Sequence, residues 1–507
     1  MMNVRFKNSL LSWISRRRIH QIEFFKKNPY EIQSNVLNSL INRAQSTYFG
    51  DIHKFRYIKS YSDFIKHVPT HTYEELFPYI KKSREGNRNI LWPGRMNWFA
   101  VSSGTTNDKS KYIPVSIEAL KECHFKGGKD MLSLYCTNYP KTQIYQGKSL
   151  MIGGSQRYNT EYSFMEGDLS AILIHNFPFW VNMHRTPGIE VALMQDWEKK
   201  LSFICNQSVK QNVTNITGVP SWVLILFNKI LKETGVDNIL DIWPNLELYM
   251  HGGINFGPYK RRFQEMIPTE TMNYLEGYNA SEGFFGIQDQ KDNKELLLML
   301  DYGIFYEFIR LEDFNKGIRE TIELRDVSIG SVYVIVISTN AGLWRYIIGD
   351  TIRFTSLNPY RIKLVGRTKS YINAFGEELM VENAEKAINI CSSIHNCFVD
   401  NFIVAPEHHK YGKGRHHWLV EFSVKPDSIE FFANDLDKYL RDINSDYDAK
   451  RRNDTILKNL KITIANDSLF HSWLAKNNRL GGQHKVPRLD NSMQVFNDIM
   501  LLNNSIE

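Results

Sequence analysis

Apolar residues recur at helical spacing early in the chain, where Ile32, Val36, Leu37, Leu40 and Ile41 fall within Pro29 to Ala44. The first ninety or so residues are therefore expected to form a lobe of helices and loops that packs on a larger body. From about Trp98 the pattern changes. Short apolar runs at Trp98 to Val101 and Ser149 to Ile152 predict strands, and they alternate with helices predicted over Ile117 to Tyr135 and Glu190 to Gln207. Such alternation implies an α/β fold. After Glu295, strands are predicted at Leu296 to Met299, Ile304 to Arg310, Thr321 to Leu324, Ser331 to Ser338 and Tyr360 to Val365, a β-rich subdomain over 295–365. An α+β segment follows from Gly366. It has helices near Glu382 to Ile390 and over Ser428 to Asp442, and strands at Asn401 to Val404, His417 to Phe422 and Leu460 to Ala465. The main boundary falls at Val365 to Arg367, giving a large N-terminal domain, 1–365, and a smaller C-terminal one, 366–507.

Composition narrows the class. With 507 residues, 42% hydrophobic and 13% aromatic, and no long polar tract, the chain can bury a core throughout and is not a disordered protein. The excess of 62 basic over 55 acidic residues suits small anionic substrates but is too dilute to argue nucleic-acid binding. The densest basic cluster, Arg16-Arg17-Arg18, follows Leu10, Leu11, Trp13 and Ile14. It is expected on a docked amphipathic helix, with a membrane-surface or targeting helix as the alternative. No run approaches the roughly 18 apolar residues of a spanning helix, so no stable membrane insertion is expected. Five scattered cysteines without a Cys-x-x-Cys pair indicate neither a disulfide framework nor a zinc site and place the protein in a reducing, cytoplasmic compartment. The pairs His408-His409 and His416-His417 flank a Gly- and Lys-rich segment, which is ordinary hairpin chemistry unless further ligands join them.

Five segments carry candidate chemistry. Ser102-Ser103-Gly104-Thr105-Thr106 follows a strand, and Gly104 lets the chain curl with backbone N–H groups and hydroxyls inward, as in a phosphate-binding loop. Lys111 can add a point charge to the phosphate. A plain surface turn is the alternative. Glu276-Gly277-Tyr278-Asn279-Ala280-Ser281-Glu282-Gly283 sits at a strand's C-terminal end, where α/β sheets bind ligands. There Tyr278 could flank a base, Ser281 bind phosphate and Glu282 hold Mg2+, or the segment could be a polar turn. Trp344-Arg345-Tyr346-Ile347-Ile348-Gly349-Asp350 ends a strand with a carboxylate able to accept from both ribose hydroxyls. Gly366-Arg367 and Gly376 flank the domain boundary, so Arg367 could swing with the smaller domain or lie in a static linker. Near the C-terminus, Gly481-Gly482-Gln483-His484-Lys485-Val486-Pro487-Arg488 could carry a mobile Lys485 that neutralises charge on a transferring phosphate, or be a basic tail. The glycines of His251-Gly252-Gly253 would let backbone approach an adenine.

In this order the segments resemble the auxin-responsive acyl-acid amido synthetases, the Gretchen Hagen family, in the branch found outside plants. The likeness runs from about Trp98 to Arg488 and rests on Ser-Ser-Gly-Thr-Thr, Tyr-x-x-Ser-Glu, Tyr-x-x-Gly-Asp and Gln-x-Lys-x-Pro-Arg together. The wider similarity is to firefly luciferase and acyl-CoA synthetases. The resemblance implies a large adenylate-forming domain with a small α+β lid, and ATP and Mg2+ as cofactors. It also implies a small carboxylic acid activated as its adenylate and joined to an amino acid, with no carrier protein. It matches Ser102, Ser103, Gly104, Thr105, Thr106 and Lys111 to the phosphate loop; Tyr278, Ser281 and Glu282 to the second nucleotide motif; Asp350 to the ribose; Arg367 to the hinge and Lys485 to the lid, while Gly253 remains a candidate for the adenine. Two departures stand out: Asn107-Asp108 replaces the usual glycine after the threonines, and the hinge aspartate is replaced near Thr368 to Ser370. Phe177-Pro178-Phe179-Trp180 and Val219-Pro220-Ser221-Trp222 are candidate pocket walls, with core packing as the alternative.

Overall fold

Runs buried on nearly every residue, such as Val332–Thr339, are covered on both faces, and they lie within a large sheet. The computed structural model describes residues 17–505 apart from 103–110, 254–255, 292, 369–370, 373, 376, 378, 409–413, 452–456, 478 and 481–484. The strands of the N-terminal part are, in chain order, β1 Trp98–Ser102, β2 Lys111–Val115, β3 Lys148–Met151, β4 Gln156–Asn159 and β5 Phe164–Gly167. Next come β6 Arg185–Thr186, β7 Val213–Thr217, β8 Leu248–His251, β9 Asn273–Ala280 and β10 Gly283–Ile287. The last five are β11 Leu296–Leu298, β12 Ile304–Arg310, β13 Val332–Thr339, β14 Tyr346–Leu357 and β15 Tyr360–Arg367.

Eleven of these strands make one sheet, ordered β12-β13-β14-β15-β11-β10-β9-β8-β7-β3-β6. Strands β6, β3, β7, β8 and β9 run parallel, whereas every pair from β9 through β10, β11, β15, β14 and β13 to β12 is antiparallel. The segment 295–365, expected as a β-rich subdomain, thus extends the α/β sheet, and β9 is the strand where the two halves meet. A second sheet, β2-β1-β5-β4, stands beside it. The C-terminal segment builds a three-stranded sheet from Phe398–His408, Gly414–Val424 and Lys461–Ile464, covered by the Val381–Ile394 and Ile429–Ile443 helices.

The N-terminal helices close over the antiparallel half, sharing one core with it: Leu37, Leu40, Phe49 and Phe64 pack with Phe305, Tyr306 and Trp344. An ion pair locks this contact. Glu307 on β12 is fully buried and accepts from the Arg345 guanidinium at 2.8–3.1 Å, from Tyr61 at 3.0 Å and from Thr321 at 2.7 Å. Arg345 also donates to the Val68 carbonyl at 2.6 Å. The first basic cluster is used in the same way: residues 17–27 are helical, and Arg18 pairs with Asp130 and Asp301. Residues 1–16 lie outside the described residues.

Three expected elements differ. Thr321 to Leu324 is not a strand: Ile322 makes a single bridge to Phe308, and Leu324–Asp326 is a 3-10 turn, because the Thr321 hydroxyl is drawn to Glu307 and Arg345. The helix expected over Glu190 to Gln207 is two, Ile189–Ala192 and Trp197–Ser208, since Asp196 caps the second through the Lys199 N–H. The helix expected over Ile117 to Tyr135 contains a π turn, Ala119–His124, ahead of Phe125–Asn138. The paired histidines part company as neighbours on a strand do: His416 meets the buried carboxylate of Glu377 at 2.8 Å, and His417 meets Thr463 at 2.8 Å. Residues 409–413 between them lie outside the described residues.

Candidate active site

The C-terminal ends of parallel strands gather loops at one edge, the place where open α/β sheets bind ligands. Here that edge carries Gly153-Gly154 after β3, Gly218 after β7, His251 at the end of β8 with Gly252-Gly253, and Tyr278 to Glu282 on and after β9. These residues line a cavity of about 1810 Å³ that continues between the sheet and the C-terminal segment. Gly253 has φ +82°, a left-handed conformation that glycine adopts without strain.

Asp350 on β14 lines the cavity and gathers its charged groups. The β14–β15 register sets Arg367 directly across from it, and the guanidinium Nε donates to Asp350 Oδ1 at 2.7 Å. Tyr278 Oη donates to Asp350 Oδ2 at 2.6 Å. Each carboxylate oxygen has a second lone pair, so both can still accept from a ribose. Tyr278, expected to flank a base, lines the cavity with its ring against Phe285 and its hydroxyl bonded to Asp350. Arg367, read as a group able to swing with the smaller domain, is the last residue of β15 and is tied into the sheet. Asp350, and then Glu282, hold its guanidinium more firmly charged than usual.

Glu282 lies beside this pair. Burial pushes its carboxyl above the ordinary carboxylate range, Asp350 adds to the effect, and Arg367 and Lys111 oppose it. Next to it, the Ser281 hydroxyl is buried without a hydrogen-bond partner among the described residues, as is the Tyr346 hydroxyl, whose titration feels Glu282. Unmet hydrogen-bonding capacity beside an under-compensated carboxylate fits a phosphate and a cation arriving together. Among the described residues no three metal-type ligands cluster.

Lys485 reaches this centre from the C-terminal segment, and its ammonium donates to the Gly253 carbonyl. A side chain at 253 would bring its Cβ within 3.2 Å of that ammonium, so this glycine makes room for the lysine. Although Lys485 keeps solvent exposure as a residue, its ammonium is enclosed, and burial and the Arg367 charge lower its pKa to about 8, with Asp350 opposing. Ser102 ends β1 opposite Lys111 at the start of β2 and lines the cavity. Ser103, Gly104, Thr105 and Thr106, on the turn that joins them, lie outside the described residues, as do Gly376 and residues 481–484. Of the aromatic walls, Phe177, Trp180, Val219 and Trp222 line the cavity, whereas Phe179 is exposed.

Sequence reasoning missed several lining groups. His124, from the π turn, bonds Asn279 at 3.1 Å, and burial lowers its pKa to about 4. His251 stacks on Phe256 with centroids 4.3 Å apart, and burial lowers its pKa to about 3. His251 and Glu276 were within quoted motifs, and neither had a role of its own; for Glu276 a signal was present. Its spacing two residues before Tyr278, hence on the same face of β9, was the available signal.

Family models match nearly the whole chain: the "GH3 family N-terminal domain" over residues 18–272, the "central domain" over 297–367 and the "C-terminal domain" over 382–494. The chain belongs to the GH3 family. A relative, indole-3-acetic acid-amido synthetase GH3.4 of Arabidopsis thaliana, is 23% identical over 438 residues, covering 74% of this chain and 73% of the relative. The fold of this GH3 protein matches that of the AtGH3.15 acyl acid amido synthetase in complex with 2,4-DB, with a TM-score of 0.80 and 17% identity, over 96% of each chain. It also matches 2-hydroxyisobutyryl-CoA ligase in the postadenylation state, with a TM-score of 0.58 and 12% identity, over 94% of this chain and 91% of the other.

Proposed function

We propose that this GH3 protein uses ATP to activate a carboxylic acid as its acyl-adenylate and passes the acyl group to the amine of an amino acid, forming an amide. The observation that carries the reading is the convergence on one strand-end cavity of Asp350, Glu282, Arg367 and Lys485, with the Lys111 charge acting on Glu282. Adenylation transfers a nucleotidyl group between oxygens, so it needs in-line positioning and charge neutralisation and no nucleophilic side chain. On this reading Asp350 holds the ribose, Lys111 and Ser281 hold phosphate, and Glu282 would hold Mg2+, which supplies further charge neutralisation when bound. Residues 1–365 act as the adenylation domain and residues 366–507 as the lid that delivers Lys485. The names of its relatives support an amino acid as acceptor. Work in the cytoplasm is supported by five free cysteines, and among the described residues no helix is long and apolar enough to cross a membrane.

The test is pyrophosphate release from ATP and Mg2+ across a panel of aryl and aliphatic acids, with and without mixed amino acids. Acid-dependent release that amino acids accelerate is expected. Asp350→Ala removes the acceptor for the ribose and leaves Arg367 without its partner, and is expected to lower kcat/KM for ATP about 10²-fold or more. Release that requires coenzyme A and ignores amino acids would overturn the amide in favour of a thioester.

A further inference from the structure

Amide formation demands a step that adenylation does not, because an amino acid arrives as an ammonium and its nitrogen is a nucleophile only after losing a proton. None of the groups around Asp350 is placed for that task. Arg367 and Lys485 are cations, Tyr278 is bonded to Asp350, and Glu282 is the group proposed to hold Mg2+.

A second polar patch lies in the same cavity on the sheet face that carries Tyr278. Glu276 precedes Tyr278 by two residues on β9, a separation of roughly 6.6 Å along a strand. The parallel β8–β9 register sets His251 beside Glu276, and Tyr274 follows on the same face two residues back. All three line the cavity, where Phe256 packs on both His251 and Tyr274. Their hydrogen-bonding capacity is unmet: the Tyr274 hydroxyl and His251 Nδ1 are buried without partners among the described residues, and burial pushes Tyr274 up to about 12. Among the described residues the Glu276 side chain makes no hydrogen bond or ion pair, although its backbone N–H donates to the Gln288 side chain and its carbonyl accepts from the Gln288 N–H.

The charged groups facing Glu276 come from two further elements. Lys363 on β15 lowers its pKa and Glu385 on the Val381–Ile394 helix raises it, but burial dominates and pushes it up to about 7. Lys363 is paired with Glu382 at 2.5 Å, and Glu385 faces Arg488 at 3.8 Å. This wall of the cleft therefore presents an acceptor-rich patch beside lysines, Lys363 and Lys386, a layout suited to a zwitterion.

Resting on the proposed amide-forming reaction, we propose that Glu276, flanked by Tyr274 and His251, binds the ammonium of the incoming amino acid and takes its proton. The Glu276 carboxylate accepts one N–H proton, and the freed nitrogen lone pair forms the C–N bond to the adenylate's carbonyl carbon. The C–O bond to phosphate breaks, AMP leaves with that electron pair, and the nitrogen sheds its second proton to solvent. Below pH about 7 the carboxyl is protonated and the step slows; above it the carboxylate is present and the step runs.

The test separates the two half-reactions in the full-length protein, using the panel acid that gives the fastest ATP–pyrophosphate exchange. Glu276→Gln is expected to keep acid-dependent exchange near the wild-type rate and to lose about 10²–10⁴-fold in conjugation of mixed amino acids. It should still form the hydroxamate with hydroxylamine, which is largely unprotonated at neutral pH and needs no base. The wild type should show conjugation rising through pH 7 while hydroxamate formation does not. Unchanged conjugation by Glu276→Gln, or equal loss of hydroxamate, overturns the assignment. Should the variant lose exchange as well, the wild-type comparison decides, and parallel pH profiles for the two nucleophiles refute it. No exchange by the wild type with any acid overturns the amide reading and this inference together.

Discussion

Lys485→Ala is expected to slow acid-dependent pyrophosphate release about 10²–10³-fold, the size of effect seen when one preorganised charge-stabilising group is removed. The lysine belongs to the C-terminal segment, yet its ammonium ends among Gly253, Arg367 and Asp350. That is the position from which a cation can neutralise charge on the transferring phosphate. Loss should fall on kcat and kcat/KM alike, because the interaction strengthens only as charge develops. The wild-type pH profile provides an independent check. With its pKa lowered to about 8, Lys485 is charged below that pH and neutral above it, so kcat/KM for ATP should decline as pH rises through about 8. An ordinary lysine would hold the rate level to beyond pH 10. A level profile over that range, or a Lys485→Ala rate close to wild type, would show that the lysine takes no part in adenylation.

Glu307→Gln is expected to destabilise the fold by about 3–5 kcal/mol, read from the shift of the denaturant midpoint. Glu307 and Arg345 are both buried, so removing one charge leaves the other enclosed without compensation. Thr321, Tyr61 and the Val68 carbonyl complete the network, which joins the N-terminal helical lobe to β12 and to the turn before β14. Replacing both members, as in Glu307→Leu with Arg345→Met, should lose less than the single change, since no unpaired charge remains. Additive losses would mean that the two residues act independently.

Arg345 illustrates how local reading and tertiary reading differ. It sits inside Trp344 to Asp350, a motif whose chemistry lies in its last residue, and only the fold reveals that the arginine serves the helical lobe. The split at Asp196 was legible, because an aspartate followed by an acidic first turn is a capping signal, but the apolar spacing on either side obscured it. The strand expected at Thr321 to Leu324 failed for a nonlocal reason: β-favouring residues there had their polar partners on β12 and at Arg345.

Periodicity and turn chemistry by themselves determined the alternation of helices and strands and the candidacy of Asp350, Glu282, Lys111 and Lys485, and the family motifs were readable as a resemblance. These depend on residues close together in the chain. What the tertiary structure decided is which distant groups meet. Asp350 faces Arg367 through the β14–β15 register, Lys485 crosses 232 residues to reach Gly253, and His251 stands beside Glu276 because β8 and β9 are parallel neighbours. Strand order and register follow from how whole faces bury one another, a property of the assembled sheet and not of any short stretch of sequence.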